Sequence, residues 1–173
     1  MTTARIAGGD LAGLDALDVD ALALPLFAVR AQPQDVAGFA DWRLAGRIAR
    51  LIASGRFSGA RDEALLMPGQ GRCGAQRVFL LGLGAPQSPA KLSFDQAVQV
   101  LAQAGARKLA FGAPSMASPK DAGPVAERFI EALGANQAAF DELVLLDAHG
   151  HLKEAEASLR RSAKDAGLSW SPA

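Results

Sequence analysis

Apolar residues along this chain fall into two patterns. In the first they form short unbroken runs: Ala21 to Val29, Ala64 to Met67, Val78 to Leu83, Lys108 to Gly112 and Glu142 to Ala148. Runs of this length, bounded by Gly, Pro or charged residues, predict buried strands. Residues 4 to 7 predict a further short strand, and the leucine-spaced LAGLDALDVD after it a loop or a single helical turn. Pro25 removes a ladder donor from the second strand, which predicts an edge position or a bulge there.

In the second pattern apolar residues recur at steps of three and four. Val36, Phe39, Ala40, Leu44, Ile48, Leu51 and Ile52 form one stripe, which predicts a long helix from Asp35 as N-cap to Ser54, ended by Gly55. Arg43, Arg47 and Arg50 fall off that stripe and read as its solvated side rather than as an anion-binding face. Ser93-Phe94-Asp95-Gln96 has the form of a capping box opening a helix that Gly105 ends. A third helix is predicted over Pro124 to Leu133, with Val125, Phe129, Ile130 and Leu133 facing the core. After the connector Asn136 to Asp141 and its following strand, a last helix spans Leu152 to Ala166 and presents Leu152, Ala155, Leu159, Ala163 and Ala166 inward.

From residue 78 onward strands and helices alternate, and the strands are apolar on both faces. That order predicts an α/β fold with a mixed, largely parallel sheet covered by helices on both sides. The two runs flanking the glycine-rich segment 68–77 read as an antiparallel hairpin at the centre of the sheet. The 173 residues suffice for one domain, 1–173, with flexible ends at 1–3 and 169–173.

Composition narrows the function. Eighteen basic and eighteen acidic residues balance, so there is no net field to draw in nucleic acid. No segment has the length of a membrane span or the form of a leader, and a cytoplasmic location is expected. The single cysteine, Cys73, excludes an internal disulfide and reads as an ordinary loop residue, since nothing nearby would activate its thiol.

The stretch EALLMPGQGRCGAQRVFLLGLG, from Glu63 to Gly84, together with Asp20-Ala21-Leu22-Ala23 and Gly55-Arg56-Phe57, resembles the N-terminal domain of the leucyl aminopeptidase family. Pro25 departs from that family's pattern. The resemblance implies a macro-domain-like α/β unit. In the family this unit precedes a catalytic domain that carries two metals and the signature NTDAEGRL, and no such signature occurs here. Metallopeptidase chemistry needs carboxylates and a lysine converging on two cations, so the expectation is no catalytic residue, no cofactor and no peptidase activity. The resemblance also implies association, as a homo-oligomer or with a separately encoded aminopeptidase subunit. A macro-like module that binds a nucleotide or ADP-ribose-type ligand is the alternative.

Three motifs can carry chemistry. Gly69-Gln70-Gly71-Arg72-Cys73-Gly74 spells a dinucleotide fingerprint, but it runs into a strand rather than a helix, so a hairpin loop is the better reading. The carboxyl ends of the parallel strands are the better place for a small ligand. There Gly82, Gly84 and Gly112 would permit close backbone approach, and Ser115 and Ser118 would donate hydrogen bonds. Asp147, His149 and His151 alternate like metal ligands on a strand. Gly150 turns the chain between them, which favours a surface loop, with Asp147 or His151 preparing the last helix. Trp42 is expected at the edge of the core, and Trp170 either tucks onto the domain or marks a contact with another chain.

Overall fold

The computed structural model describes residues 1–172. Its strands are β1 (Thr3–Gly8), β2 (Val19–Leu26), β3 (Ala64–Pro68), β4 (Ala75–Gly82), β5 (Lys108–Gly112), β6 (Glu142–Asp147) and β7 (Ser169–Trp170). Its helices are α1 (Leu11–Asp15), α2 (Asp35–Arg43), α3 (Arg47–Ala53), α4 (Asp95–Gln103), α5 (Ala122–Gly134), α6 (His151–Glu154) and α7 (Glu156–Asp165). The strands form one sheet in the order β3-β4-β2-β5-β6-β1-β7. Every pairing is parallel except the β3–β4 hairpin.

The α/β class with helices on both faces is as expected, and strand alternation shows how it arises. Ala21, Ala23, Phe79, Leu81, Leu109, Phe111, Leu143 and Leu145 point to one side, where they meet α4, α5 and α7. The intervening Leu22, Leu24, Val78, Leu80, Ala110, Val144 and Leu146 point to the other, against α1, α2 and α3. The first core is built on Phe94, Phe111 and Phe129. Phe111 stacks on Phe129 at 4.0 Å, and Phe94 meets both edge-on at 5.7 and 5.4 Å.

Several local expectations are corrected. The hairpin lies at one end of the sheet, with β3 as the outermost strand, and β5 is central. Pro25 is in the interior strand β2, not at an edge. Leu26 accepts from the Leu83 amide on the β4 side, so Pro25, one residue earlier, faces the β5 side, where pairing has ended at Ala23↔Phe111. Its missing N–H therefore costs no ladder bond. The strand stops at Leu26 rather than Val29, because the Val29 amide turns back onto the Phe27 carbonyl.

The helix expected over 35–54 is two helices. Ala45 and Gly46 are left-handed at φ 54° and 73°, and the Asp41 carboxylate turns to accept from the Ile48 and Ala49 amides at 2.7 and 3.1 Å, capping α3. Asp35 is the first helical residue after Gln34 rather than the cap. The capping box before α4 does not form either. Ser93 Oγ donates to Asp95 at 2.9 Å, and Phe94 occupies the cap position. The last helix is interrupted at Ala155, between α6 and α7.

Residues near each end make contacts with the body of the domain. Thr2 is buried, and its hydroxyl lies 2.8 Å from both the Gln137 and the Phe140 carbonyl oxygens, either of which can accept its one proton. Ser169 and Trp170 pair with β1, and the Trp170 indole donates to Glu156. Ala173, the last residue of the expected flexible tail, lies outside the described residues.

Candidate functional site

The two ends of the sheet differ. The glycine-rich hairpin loop is at the end where β4 begins. There the Gly74 amide donates to Leu14 O, and a Cβ on Gly74 would lie 1.8 Å from Leu17 O. That loop is packed against α1 and the start of β2, and it opens no helix. Cys73 within it is buried.

At the carboxyl ends of β2, β4 and β5 there is a cavity of about 540 Å³, within the range of small-molecule sites. One wall is Leu26, Phe27 and Val29, the chain leaving β2. Pro86 to Ser88 after β4 and Pro114 to Ala117 after β5 supply others, with Ile52 of α3 and Asp121 completing the enclosure. Of the expected ligand residues only Ser115 lines it. Gly82 and Gly112 serve close packing instead: a Cβ on Gly82 would lie 1.9 Å from Ala60 O, and one on Gly112 would lie 2.6 Å from Val36 Cγ1. Gly84, at φ 76°, bonds backbone to backbone with Gly59 and Ala28. Ser118 accepts the Asp121 amide on its carbonyl, one residue beyond the wall.

The wall from Leu26 to Gln34 was not anticipated from the sequence. Its only signal was the proline pair Pro25 and Pro33 around AVRAQ, which marks a chain that leaves the sheet and does not re-enter a helix until Asp35.

Beside the cavity lies a narrow crevice lined by Asp35, Asp147, His149 and His151. Asp147 accepts from the His149, Gly150 and Lys153 amides at 3.3, 2.8 and 3.1 Å, so its carboxylate organises the start of α6. His149 Nε2 is 2.6 Å from Asp35 Oδ1, and His151 Nδ1 is 3.2 Å from Glu154 Oε2. Each imidazole is taken by a different carboxylate. Among the described residues no group of three His, Cys, Asp or Glu side chains converges as a metal site would.

Across the His149–Asp35 bridge is a shallow apolar depression formed by Leu11, Gly38, Phe39 and Trp42. Trp42 is 73% exposed, which corrects the expected core-edge position. Its neighbour Ala40 is fully buried, and two residues further on is about 200° around the helix, so the indole faces away from the sheet.

A mostly parallel sheet covered on both faces, with a cavity at the carboxyl rim, makes this chain a macro-like α/β module. Among solved structures it is similar to the macro domain of ganglioside induced differentiation associated protein 2, with 12% identity and a TM-score of 0.65 over 92% of this chain and 84% of that one. A Trypanosoma brucei macrodomain in complex with ADP-ribose matches at 14% identity and 0.61, over 90% and 67%. A lysine-to-glutamate mutant of tomato leucine aminopeptidase matches at 16% and 0.64, over 94% of this chain and 35% of that one. The chain therefore spans about a third of the tomato enzyme's length. The sequence match is more specific: residues 23–143 match the model of the cytosol aminopeptidase family's N-terminal domain, and the chain belongs to that family. No curated protein matches it by sequence. No helix among the described residues is long and apolar enough to cross a membrane.

Proposed function

We propose that this chain is a non-catalytic, cytoplasmic module of the aminopeptidase family that works by association, with a second copy of itself or with a separately encoded catalytic subunit. The observation that carries this reading is Trp42, 73% exposed on α2 beside Phe39 and Leu11. An exposed apolar residue needs no special reason, but a tryptophan with apolar neighbours is the kind of anchor on which binding energy concentrates. The family membership supports the reading. Light scattering across a range of concentrations, alone and mixed with a leucine aminopeptidase, tests it. Assembly that Trp42→Glu abolishes is the expected result, and a monodisperse monomer in both arms contradicts it.

A second reading is favoured by a different observation, the cavity at the carboxyl rim. It makes the chain a macro-like module whose ligand, of nucleotide or ADP-ribose type, is held near Ser115, with Gly82 and Gly112 at the ends of β4 and β5 and Gly84 and Ser118 in the loops that follow. The neighbouring macrodomain solved with ADP-ribose supports it. A ligand that binds only the native state raises the melting temperature by mass action. On this reading ADP-ribose raises Tm, and no shift at saturating concentration counts against it.

A further inference from the structure

The rim cavity has a chemical character that a pyrophosphate does not match. Its walls are mostly apolar, with Leu26, Phe27, Val29, Ile52 and Met116 among them. Among the described residues no lysine, arginine or histidine lines it, and its single charged wall residue is Asp121. The Asp121 carboxylate takes part in none of the ion pairs of the described residues.

Backbone amides at helix N-termini are the other common source of positive potential for a phosphate. Two helices begin at this rim, and each already carries a carboxylate there. Asp121 holds the N-cap position of α5, and Asp35 opens α2, where it also binds His149. The positive ends of both helices are thus met by the chain's own anions, and a second anion would be opposed by them.

We propose that the rim cavity is a site for a small hydrophobic amine, whose ammonium pairs with Asp121 while its apolar body lies against Phe27, Val29, Ile52 and Met116. The proposal rests on the second reading above as to place, and departs from it as to ligand. A carboxylate beside an apolar enclosure favours a cation that brings its own hydrophobic surface, because burial of the body stabilises binding and the ion pair orients it. Neutral groups on the wall, Gln32, Gln34, Gln87, Ser88 and Ser115, can satisfy further polar atoms of such a ligand.

The chain has three methionines, and only Met116 is on the cavity wall, Met67 being buried under the other face of the sheet. Protein labelled with methyl-13C methionine therefore reports binding at this place by NMR. Three probes are titrated: 3-phenylpropylamine, its uncharged analogue 3-phenylpropan-1-ol, and ADP-ribose. The Met116 methyl is expected to shift saturably with the amine, with the alcohol about tenfold weaker, the scale of one charge-assisted hydrogen bond. In Asp121→Asn, which removes the charge at a position whose side chain makes no cap hydrogen bond to α5, the amine falls to the level of the alcohol. If amine and alcohol saturate alike, or ADP-ribose binds most tightly, the cavity is a ligand site but the amine assignment is overturned. If no probe moves Met116 in a folded protein, the ligand reading fails and the assignment falls with it.

Discussion

Glu63 illustrates how single polar side chains shape the rim. Its carboxylate accepts from Ser58 Oγ at 2.7 Å, from the Ser58 amide at 3.0 Å and from the Ala60 amide at 3.1 Å, which closes the loop that crosses Gly82. Partial burial pushes this carboxyl up, and the hydrogen bonds from Ser58, Ala60 and Gly59 outweigh that, so its pKa lies below the ordinary value. A depressed carboxyl contributes stability that is present above its unfolded pKa and lost as pH falls through the folded one. Glu63→Gln is therefore expected to lower stability at neutral pH by no more than about 1 kcal/mol, since the group is only partly buried and solvent screens it. The deficit relative to the native chain should close in acid, below about pH 4. Thermal melts of both proteins across that range check it. Asp141 beside Arg107, and Glu156 beside Arg160, are lowered by hydrogen bonds from those guanidinium groups and act in the same direction. The roles of Glu63 and Asp141 do not show in sequence, because each depends on chain folding back in a way the local pattern does not encode, whereas Glu156 and Arg160 stand four apart on α7, a pairing that helix spacing alone provides.

At the scale of elements, the division of the helix over 35–54 shows what periodicity records and what it omits. Leu44 and Ile48 are both buried, so the apolar spacing is continuous across the break and reads as one helix. The break comes from Gly46, which tolerates a left-handed backbone, and from Asp41, which satisfies the free amides of α3. Asp41→Ala is expected to cost about 1 kcal/mol, seen as a fall in Tm of about 2–4 °C. An unchanged melting temperature would mean that α3 does not depend on this cap. By contrast, β5 and the core face of α5 were fully legible, since Val125, Phe129, Ile130 and Leu133 are all completely buried as their spacing requires. For Trp42 the broken helix matters less than its angular offset from Ala40, which a count of nearby apolar residues does not register. Strand order was also invisible in the pattern. Of the hairpin's two apolar runs only β4 is buried as expected, and burial is shared by strands second from an edge, while on the edge strand β3 Met67 is buried but Leu66 is exposed.

For the molecule as a whole, two surfaces lie on either side of the His149–Asp35 bridge, the cavity at the carboxyl rim and the Trp42 depression. The position of the rim followed from parallel topology alone, while its lining did not, because the wall comes from irregular chain between β2 and α2. A stable interface takes about 800 Å² from each partner, roughly a tenth of this chain's 8028 Å² of accessible surface, so Trp42 must be joined by the rest of the outward side of α2. Hydrogen exchange of the amides from Gly38 to Arg43, compared between dilute and concentrated protein and in the presence of a leucine aminopeptidase, tests the association claim most directly. Exchange slowed there under assembling conditions, and restored by Trp42→Glu, is the predicted result. Exchange on this helix that stays the same under every condition would contradict it.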